Sequence, residues 1–528
     1  MVKRAVLILA VAVLLVAGLA PVAAMFVRSL DVDGQFSLAN YESLLVSGRQ
    51  WTLLANSLAL ASLTTILALA IGVPLGVLLG RTDLPLRRAL AVLFTVPLLV
   101  PPYIIAVSWF DVLGPQGFLS QISAVAAEHA AAWLFGLWGN VLVLTSVFTP
   151  VVMLLTMVYL KTVNPRLEEA GKLAAGWCRV LWGITLPLVW PGILLAAVLV
   201  FLLAFGELGV PMFLRFSVFP VESFTQFTAF YNFGAATAAA APMAGVTLLV
   251  FALERALVHQ GTVHIRFAPQ GDAASVIRLG RYRRPLGLAA VALCFLMVAA
   301  PLVALVARSM SVGAYAEAFA KAGDSLVRSI EYAALGASLL AILGFLLGYM
   351  IQDRALKGWP TVDWLTIFLF ALPGSVIGIG LISLWNRPAT NFVYGSFLII
   401  LLGYVAQYAG VTSRITAAIL GEIPPSMEEA AQLAGARWPR RVLLITAPIA
   451  RRGLVGAWLV GYIFCLRDVG ISIMVYPPGQ DTLPVRILTR MANGTPELIA
   501  ALCVVMVLCA LVPLAVLGLL LKWRGTAR

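Results

Sequence analysis

Hydrophobic residues occur in long runs along almost the whole chain of 528 residues, and short polar stretches separate these runs. A helix of about 20 apolar residues crosses ~30 Å of hydrocarbon. The pattern therefore predicts an all-α polytopic membrane protein with about 12 transmembrane helices. We place the spans near residues 5–27, 53–80, 89–113, 137–160, 188–210, 239–258, 286–307, 326–350, 362–385, 394–420, 449–476 and 498–521.

The first apolar run follows Met1-Val2-Lys3-Arg4 and contains over 20 residues. It is longer than the apolar core of a usual signal peptide, and another apolar run follows it instead of a soluble domain. We therefore expect a retained first span. The alternative is a signal peptide that is removed.

The composition excludes a soluble protein, because 62% of the residues are hydrophobic and only 11% are charged. Soluble domains contain roughly 25% charged residues. The net charge of +13 does not indicate a nucleic-acid partner, since the basic residues collect in alternate loops, as at Arg81, Arg278 and Arg440. The positive-inside rule then predicts a multi-pass membrane protein whose N- and C-termini are cytoplasmic.

Residues that carry catalysis or bind metals are sparse. The five cysteines form no CxxC pair, and the three histidines (His129, His259 and His264) have no ligand partner nearby in sequence. The chain contains no GxxxxGK[ST] phosphate loop. We expect no metal site, no catalytic residue and no cofactor in this chain.

The two halves of the chain repeat each other, and this predicts two parallel six-helix repeats. The first unit would be residues 1–258, a polar and basic linker residues 259–285, and the second unit residues 286–528. The matched residues are Arg28-Ser29 with Arg308-Ser309, Pro21 with Pro301, Gly72 and Gly76 with Gly344 and Gly348, Pro97 with Pro373, and Trp109 with Trp385.

Each half carries one polar, basic island, at residues 161–187 and 421–448. Their core segments begin at Glu168 and Glu428, which lie 260 residues apart. Each island predicts a short amphipathic helix, a turn, and a proline that opens the next span. Asn164-Pro165 would cap the first helix, and Ser426 with Glu429 would form a capping box on the second.

The two islands resemble the EAA loop of binding-protein-dependent ABC importer permeases of type I. This resemblance covers essentially the whole chain and implies a location in the bacterial inner membrane. It also implies that each loop forms a coupling helix, which lies in a groove of a separate ATPase subunit. Two ATPase copies would bind Mg-ATP, and a periplasmic or lipid-anchored binding protein would deliver the substrate. The implied coupling residues are Glu168, Glu169, Ala170 and Gly176 in the first loop, and Glu428, Glu429, Ala430 and Gly435 in the second.

The first loop departs from the pattern, because its spacing is one residue shorter and Ala175 stands where the second loop has Gly435. We therefore expect it to contact its ATPase somewhat differently. The alternative for both islands is an amphipathic helix that lies on the lipid surface.

One acidic residue stands at the same place in each half. Glu207 follows Pro187 by 20 residues, and Asp468 follows Pro448 by 20 residues. Acids at membrane depth are costly and usually face an aqueous path, so we expect this pair on a translocation path for a hard cation. In the alternative, Asp468 pairs with Arg467 or Arg486, and Glu207 forms a hydrogen bond at the interface.

Within the family, the chain resembles fused two-unit permeases for ferric iron. The resemblance rests on Phe205-Gly206-Glu207-Leu208-Gly209 with the run 221–231, and on Arg467-Asp468-Val469-Gly470 with 476–484. Thiamine, aminoethylphosphonate and polyamine remain alternative substrates. A twelve-span secondary transporter is the alternative class, but residues 80–88 lack the glycine spacing of its signature loop.

Overall fold

The computed structural model is almost entirely helical, as the hydrophobic pattern predicts. It describes residues 2–32, 35–229, 233–258, 276–354 and 356–526. Ten helices in these ranges are long and apolar enough to cross a membrane, and two further spans are bent helix pairs. The predicted total of twelve is confirmed if each bent pair counts as one span. Residues 259–275 of the predicted linker, with His259 and His264, lie outside the described residues.

The first half contains six spans and several shorter helices. Its spans are Val2–Ser29, Gly48–Arg81, the pair Arg87–Leu99 and Pro102–Leu113, Leu137–Leu160, Leu186–Phe205, and Phe233–Val258. Its shorter helices are Ala39–Val46, Phe118–Gln121, Ala124–Leu134, Pro165–Ala174, Trp177–Val180, Gly209–Phe213 and Phe219–Thr228. Two short antiparallel strands, Asp31–Val32 and Gln35–Phe36, follow the first span.

The second half repeats this order. Its spans are Gly280–Ser309, Val312–Asp353, the pair Trp359–Ala371 and Gly374–Trp385, Leu398–Gly421, Ala447–Leu466, and Pro496–Thr526. Its shorter helices are Pro388–Thr390, Asn391–Tyr394, Pro425–Leu433, Trp438–Arg441, Ser472–Val475 and Leu483–Arg490.

The third and ninth spans are broken, and the prediction of continuous helices there is wrong. The chain bends by 104° between the two helices of the pair in the first half and by 106° in the second. Pro101 and Pro373 begin the second helix of each pair with almost the same backbone angles (φ −55°, ψ 136° and φ −56°, ψ 139°). Proline disfavours the helical conformation of the residue before it and supplies no N–H, so each helix ends there. The structure therefore matches Pro373 with Pro101, not with Pro97.

Four π-helical turns support the duplication. They lie at equivalent places in the two halves: Leu15–Leu19 with Phe295–Ala299, and Leu181–Thr185 with Val442–Thr446. Each turn ends two residues before a matched proline, whose missing N–H and bulky ring disturb the regular hydrogen-bond ladder.

These turns correct one detail of the prediction. Pro187 and Pro448 lie in the first turn of Leu186–Phe205 and Ala447–Leu466, as expected, but the helical chain already begins before them, at Trp177 and Trp438.

Glycines bring the second and fourth spans of each half into close contact. A side chain at Gly72 would meet Val152, and one at Gly76 would meet Thr156. In the second half, Gly344 lies in the same way against Thr412. Small residues allow two helix backbones to approach closely within a membrane, so the matched glycines mark the packing core of each half.

The first span of each half packs against the other half. Helix Ala20–Ser29 contacts Gly374–Trp385 of the second half, and Ala300–Ser309 contacts Pro102–Leu113 of the first. Ion pairs reinforce both crossings. Lys3 pairs with Asp353, and Arg283 lies 3.7 Å from Asp83. The two units therefore form one interlocked body.

Candidate functional site

The first predicted coupling helix is Pro165–Ala174, and its predicted cap is confirmed. The side chain of Asn164 accepts a hydrogen bond of 3.0 Å from the backbone N–H of Arg166, and Pro165 occupies the first helical position. An N-cap of this kind satisfies one of the N–H groups that a helix leaves free at its start. The local sequence therefore fixes where this helix begins.

The two adjacent glutamates of this helix face opposite environments. Glu168 is only 2% exposed. It accepts a hydrogen bond of 2.8 Å from Thr185, and it lies 3.4 Å from the equally buried Arg81. Glu169 and Ala170 are exposed. Glu168 thus fastens the helix to the body of the protein, whereas Glu169 and Ala170 are free to meet a partner.

The second predicted coupling helix is Pro425–Leu433, and its predicted capping box is wrong. Pro424 occupies the cap position without a side-chain hydrogen bond, and Ser426 lies inside the first turn. Proline has a φ already suited to helix and no N–H to satisfy, so it favours the first helical position. The Pro424-Pro425 pair therefore starts the helix before Ser426.

Glu428 and Glu429 of this helix also face opposite environments. The hydroxyl of Tyr349 donates a hydrogen bond of 2.7 Å to Glu428, and Arg441 lies 3.7 Å away. Glu429 and Ala430 are exposed. Each coupling helix therefore uses its first glutamate inward and presents its second outward. The inward partners, however, come from different positions in the two halves.

The two coupling helices end differently, as the departure in sequence predicts. Gly435 has φ +80°, and Gly435 and Ala436 donate backbone hydrogen bonds of 3.0 Å to Gln432 and Ala431. This is a Schellman ending, which favours glycine at its left-handed position. The first helix ends instead in extended backbone at Ala175 (φ −152°). Gly176 is not among the glycines with positive φ.

Two leucines that the sequence pattern did not single out are the most exposed large hydrophobic residues of the coupling helices. Leu173 is 92% exposed and Leu433 is 90% exposed. Burial of a leucine side chain contributes about 1.5–3 kcal/mol, so an exposed leucine at a helix end favours docking to another protein. The signal was present in the sequence, since Leu173 and Leu433 repeat at the same interval of 260 residues as the glutamates.

The predicted acidic pair lines one cavity between the two halves. This cavity has a volume of about 110 Å³. Its walls include both breaks of the broken spans, at Pro102 and Pro373, and the residues that follow two equivalent 20-residue helices, Leu186–Phe205 and Ala447–Leu466. Glu207 and Asp468 each stand two residues beyond the end of these helices. The structure thus brings both acids to the seam between the halves.

The two acids nevertheless make different hydrogen bonds. Asp468 is 5% exposed and accepts three: 2.8 Å from Tyr408, 2.8 Å from the N–H of Ser472, and 2.7 Å from its hydroxyl. Glu207 is partly exposed. Its Oε1 accepts from the N–H groups of Gly209 and Val210, at 3.0 and 3.4 Å.

The suggested pairing of Asp468 with Arg486 is wrong. Arg486 lies 2.6 Å from Asp481 instead. The carboxylate of Glu207 therefore accepts fewer hydrogen bonds and is the more available of the two to a molecule in the cavity. The carboxylate of Asp468 is bound by residues of its own half.

Comparison with known proteins identifies the family of this chain. Residues 72–260 match the family model described as "Binding-protein-dependent transport system inner membrane component". The ferric transport system permease protein FbpB of Actinobacillus pleuropneumoniae is 23% identical over 508 residues, which cover 90% of this chain and 72% of that protein.

Two further relatives match part of the chain. The molybdenum transport system permease protein ModB of Azotobacter vinelandii is 32% identical over 157 residues, 29% of this chain and 68% of that protein. The putative 2-aminoethylphosphonate transport system permease protein PhnV of Salmonella choleraesuis is 26% identical over 208 residues, 39% of this chain and 77% of that protein. The chain belongs to the family of inner membrane components of binding-protein-dependent transport systems, and it is an ABC importer permease.

Proposed function

We propose that this permease imports ferric iron. The observation that carries the proposal is the extent of similarity. Two relatives named as ferric permeases match 90% and 88% of this chain and so span both halves. The molybdenum permeases match only 29–31% of it. A fused, two-unit architecture is therefore what this chain has in common with the ferric relatives.

The chemistry of the cavity supports a cationic substrate. Its charged residues are Glu207, Asp468 and Arg467, so two carboxylates face one guanidinium. Carboxylate oxygens are the ligands that hard cations favour. In the described part of the chain, no group of three or more His, Cys, Asp or Glu residues could hold a metal ion. Glu207 would therefore contact passing iron weakly, as suits a path.

The coupling helices support two ATPase partners. Each presents an exposed glutamate and an exposed leucine, Glu169 with Leu173 and Glu429 with Leu433. We propose that each helix binds one ATPase subunit on the cytoplasmic side, where the N- and C-termini would also lie. Mg-ATP would be bound and hydrolysed on those subunits, since this chain has no phosphate loop. A binding protein outside the membrane would deliver the iron.

Reconstituted transport tests the proposal. The permease, its ATPase and its binding protein are placed in liposomes, and uptake of ferric iron, molybdate and 2-aminoethylphosphonate is measured with ATP. We expect iron uptake that stops when a non-hydrolysable ATP analogue replaces ATP. Uptake of molybdate or aminoethylphosphonate in place of iron would contradict the substrate. Uptake that persists without ATP hydrolysis would contradict the importer mechanism.

A further inference from the structure

The two helices that lead to the acidic pair end with the same backbone geometry but with different residues. Gly206 caps Leu186–Phe205 with φ −89° and ψ 0°, and Arg467 caps Ala447–Leu466 with φ −89° and ψ −2°. Each residue directly precedes its acid, Glu207 or Asp468. The duplication therefore places a side chain of full length at one of two equivalent positions and none at the other.

Each of these positions faces the broken span of the opposite half. A Cβ atom at Gly206 would lie 3.2 Å from three atoms of Pro373, so even the first atom of a side chain would be tight against the second half there. At the other position, Arg467 reaches across the cavity and donates a hydrogen bond to the backbone carbonyl of Leu98. Its guanidinium also lies 4.8 Å from the centre of the Phe464 ring.

The carbonyl of Leu98 has a physical need for this donor. Leu98 lies one residue before the end of helix Arg87–Leu99. Helical carbonyls accept hydrogen bonds from the N–H groups three or four residues later. Those residues are Pro101 and Pro102, and neither has an N–H group. The donor must come from elsewhere, and Arg467 of the other half supplies it.

We propose that Arg467 is the latch of the translocation path. Its hydrogen bond to the Leu98 carbonyl joins the two halves across the cavity that holds Glu207, and this bond breaks when the path opens. The inference rests on the proposed role of that cavity as the path. The proposal assigns to transport a gating residue that occurs in only one of the two halves.

The charge of Arg467 suits such a latch. A hydrogen bond from a charged donor is roughly twice as strong as one between neutral groups. A fixed arginine in a narrow passage also raises an electrostatic barrier to cations. While the latch is closed, the guanidinium therefore opposes the leak of a cationic substrate. When the halves separate, the hydrogen bond to Leu98 breaks and the guanidinium moves out of the translocation path, so its electrostatic barrier is removed as well.

The test measures opening without any substrate. A cysteine is introduced at Leu203, which lines the cavity. The rate at which a membrane-impermeant thiol reagent labels this cysteine is compared in complexes with and without Arg467→Met. Labelling of the chain without the introduced cysteine gives the background from the native cysteines. Basal ATP hydrolysis without binding protein is measured on the same complexes. Arg452→Met is the matched control, because Arg452 is an exposed arginine on the helix that Arg467 caps.

We expect Arg467→Met to raise both rates by about tenfold, since loss of a charged hydrogen bond shifts the closed state by at least that factor. Arg452→Met should change neither rate. Equal labelling in the two variants would overturn the latch. If Arg467→Met does not assemble, Arg467→Gln keeps a neutral donor and should give a smaller increase, and an unchanged labelling rate there would also overturn it. Because no substrate is present, the result does not depend on whether the transported substrate is ferric iron.

Discussion

Glu207 and Asp468 occupy equivalent places, but their surroundings give them different tasks. Asp468 holds together a buried network of Tyr408 and Ser472, whereas Glu207 caps a short helix with one oxygen only. Its Oε2 has no hydrogen bond from the residues that the structure describes. Substitution of each acid by its amide should therefore separate a transport role from a structural one.

Glu207→Gln is expected to lower iron uptake by about tenfold, equivalent to about 1.4 kcal/mol, and to leave thermal unfolding unchanged. Asp468→Asn should lower the free energy of unfolding by about 1–3 kcal/mol, because the amide places a donor among donors. Uptake in liposomes and tryptophan fluorescence on heating measure the two effects. Asp324→Asn, an exposed acid of the second half, is the control. A Glu207→Gln protein with normal uptake would exclude Glu207 from the path.

Gly435 is the residue of the coupling loops whose identity the backbone most clearly requires. Its φ of +80° costs other residues about 1–2 kcal/mol, although no atom lies within 4 Å of a Cβ there. We expect Gly435→Ala to weaken ATPase binding by about tenfold, because the end of the helix is displaced. Gly358→Ala is the matched control, since Gly358 lies in another loop, has open space and has no positive φ. Biolayer interferometry measures the affinity of each variant for the ATPase. Equal affinities of the two variants would show that Gly435 is not required for ATPase binding.

The sequence predicted which residues of the coupling loops recur, but not which way they face. Glu168 and Glu169 are chemically identical, and only the packing of Thr185 and Arg81 from other elements turns the first inward. The prediction of a capping box at Ser426 is wrong for a reason that is visible in the sequence: the preceding Pro424-Pro425 pair starts the helix earlier. Recurrence marks the residues that the two halves share, whereas the orientation of their side chains depends on contacts that are distant in sequence.

At the scale of elements, hydropathy located every span but not the two breaks. A hydropathy window counts apolar residues and carries no information on direction, so residues 89–113 and 362–385 each resembled one helix. The breaks at Pro101 and Pro373 follow from proline chemistry. Proline inside a membrane helix does not always break it, as Pro74 and Pro150 demonstrate. The outcome depends on what surrounds the freed carbonyls.

The coupling helices give an element-scale prediction through their exposed leucines. Leu433→Ser should weaken ATPase binding by at least about tenfold, because a leucine that becomes buried on docking contributes about 1.5–3 kcal/mol. Leu173→Ser should have a similar effect at the other helix. Leu86→Ser is the control, since Leu86 is 68% exposed in another loop and belongs to neither helix. Unchanged ATPase affinity in both coupling variants would place the docking surface elsewhere.

At the scale of the whole molecule, the duplication produces two halves that depend on each other. Each first span packs on the opposite half, and the ion pairs Lys3–Asp353 and Arg283–Asp83 repeat the crossing with the partners exchanged. Such exposed pairs contribute only about 0–1 kcal/mol each, so the packed helices carry most of the association. The sequence predicted the two units, but the crossing followed only from three-dimensional contacts. One chain thus forms both walls of the cavity.

This architecture predicts that one permease chain binds two ATPase subunits. The two coupling helices belong to the same interlocked body, so no second permease chain is needed to complete the pair of docking surfaces. Native mass spectrometry of the purified complex should give one permease per two ATPases. The Leu433→Ser variant should shift the population toward one permease with one ATPase, because the surface at Leu173 stays intact. Two permease chains per ATPase pair would instead mean that each chain uses only one of its coupling helices, and the equivalence of the two loops would then be ancestral and not functional.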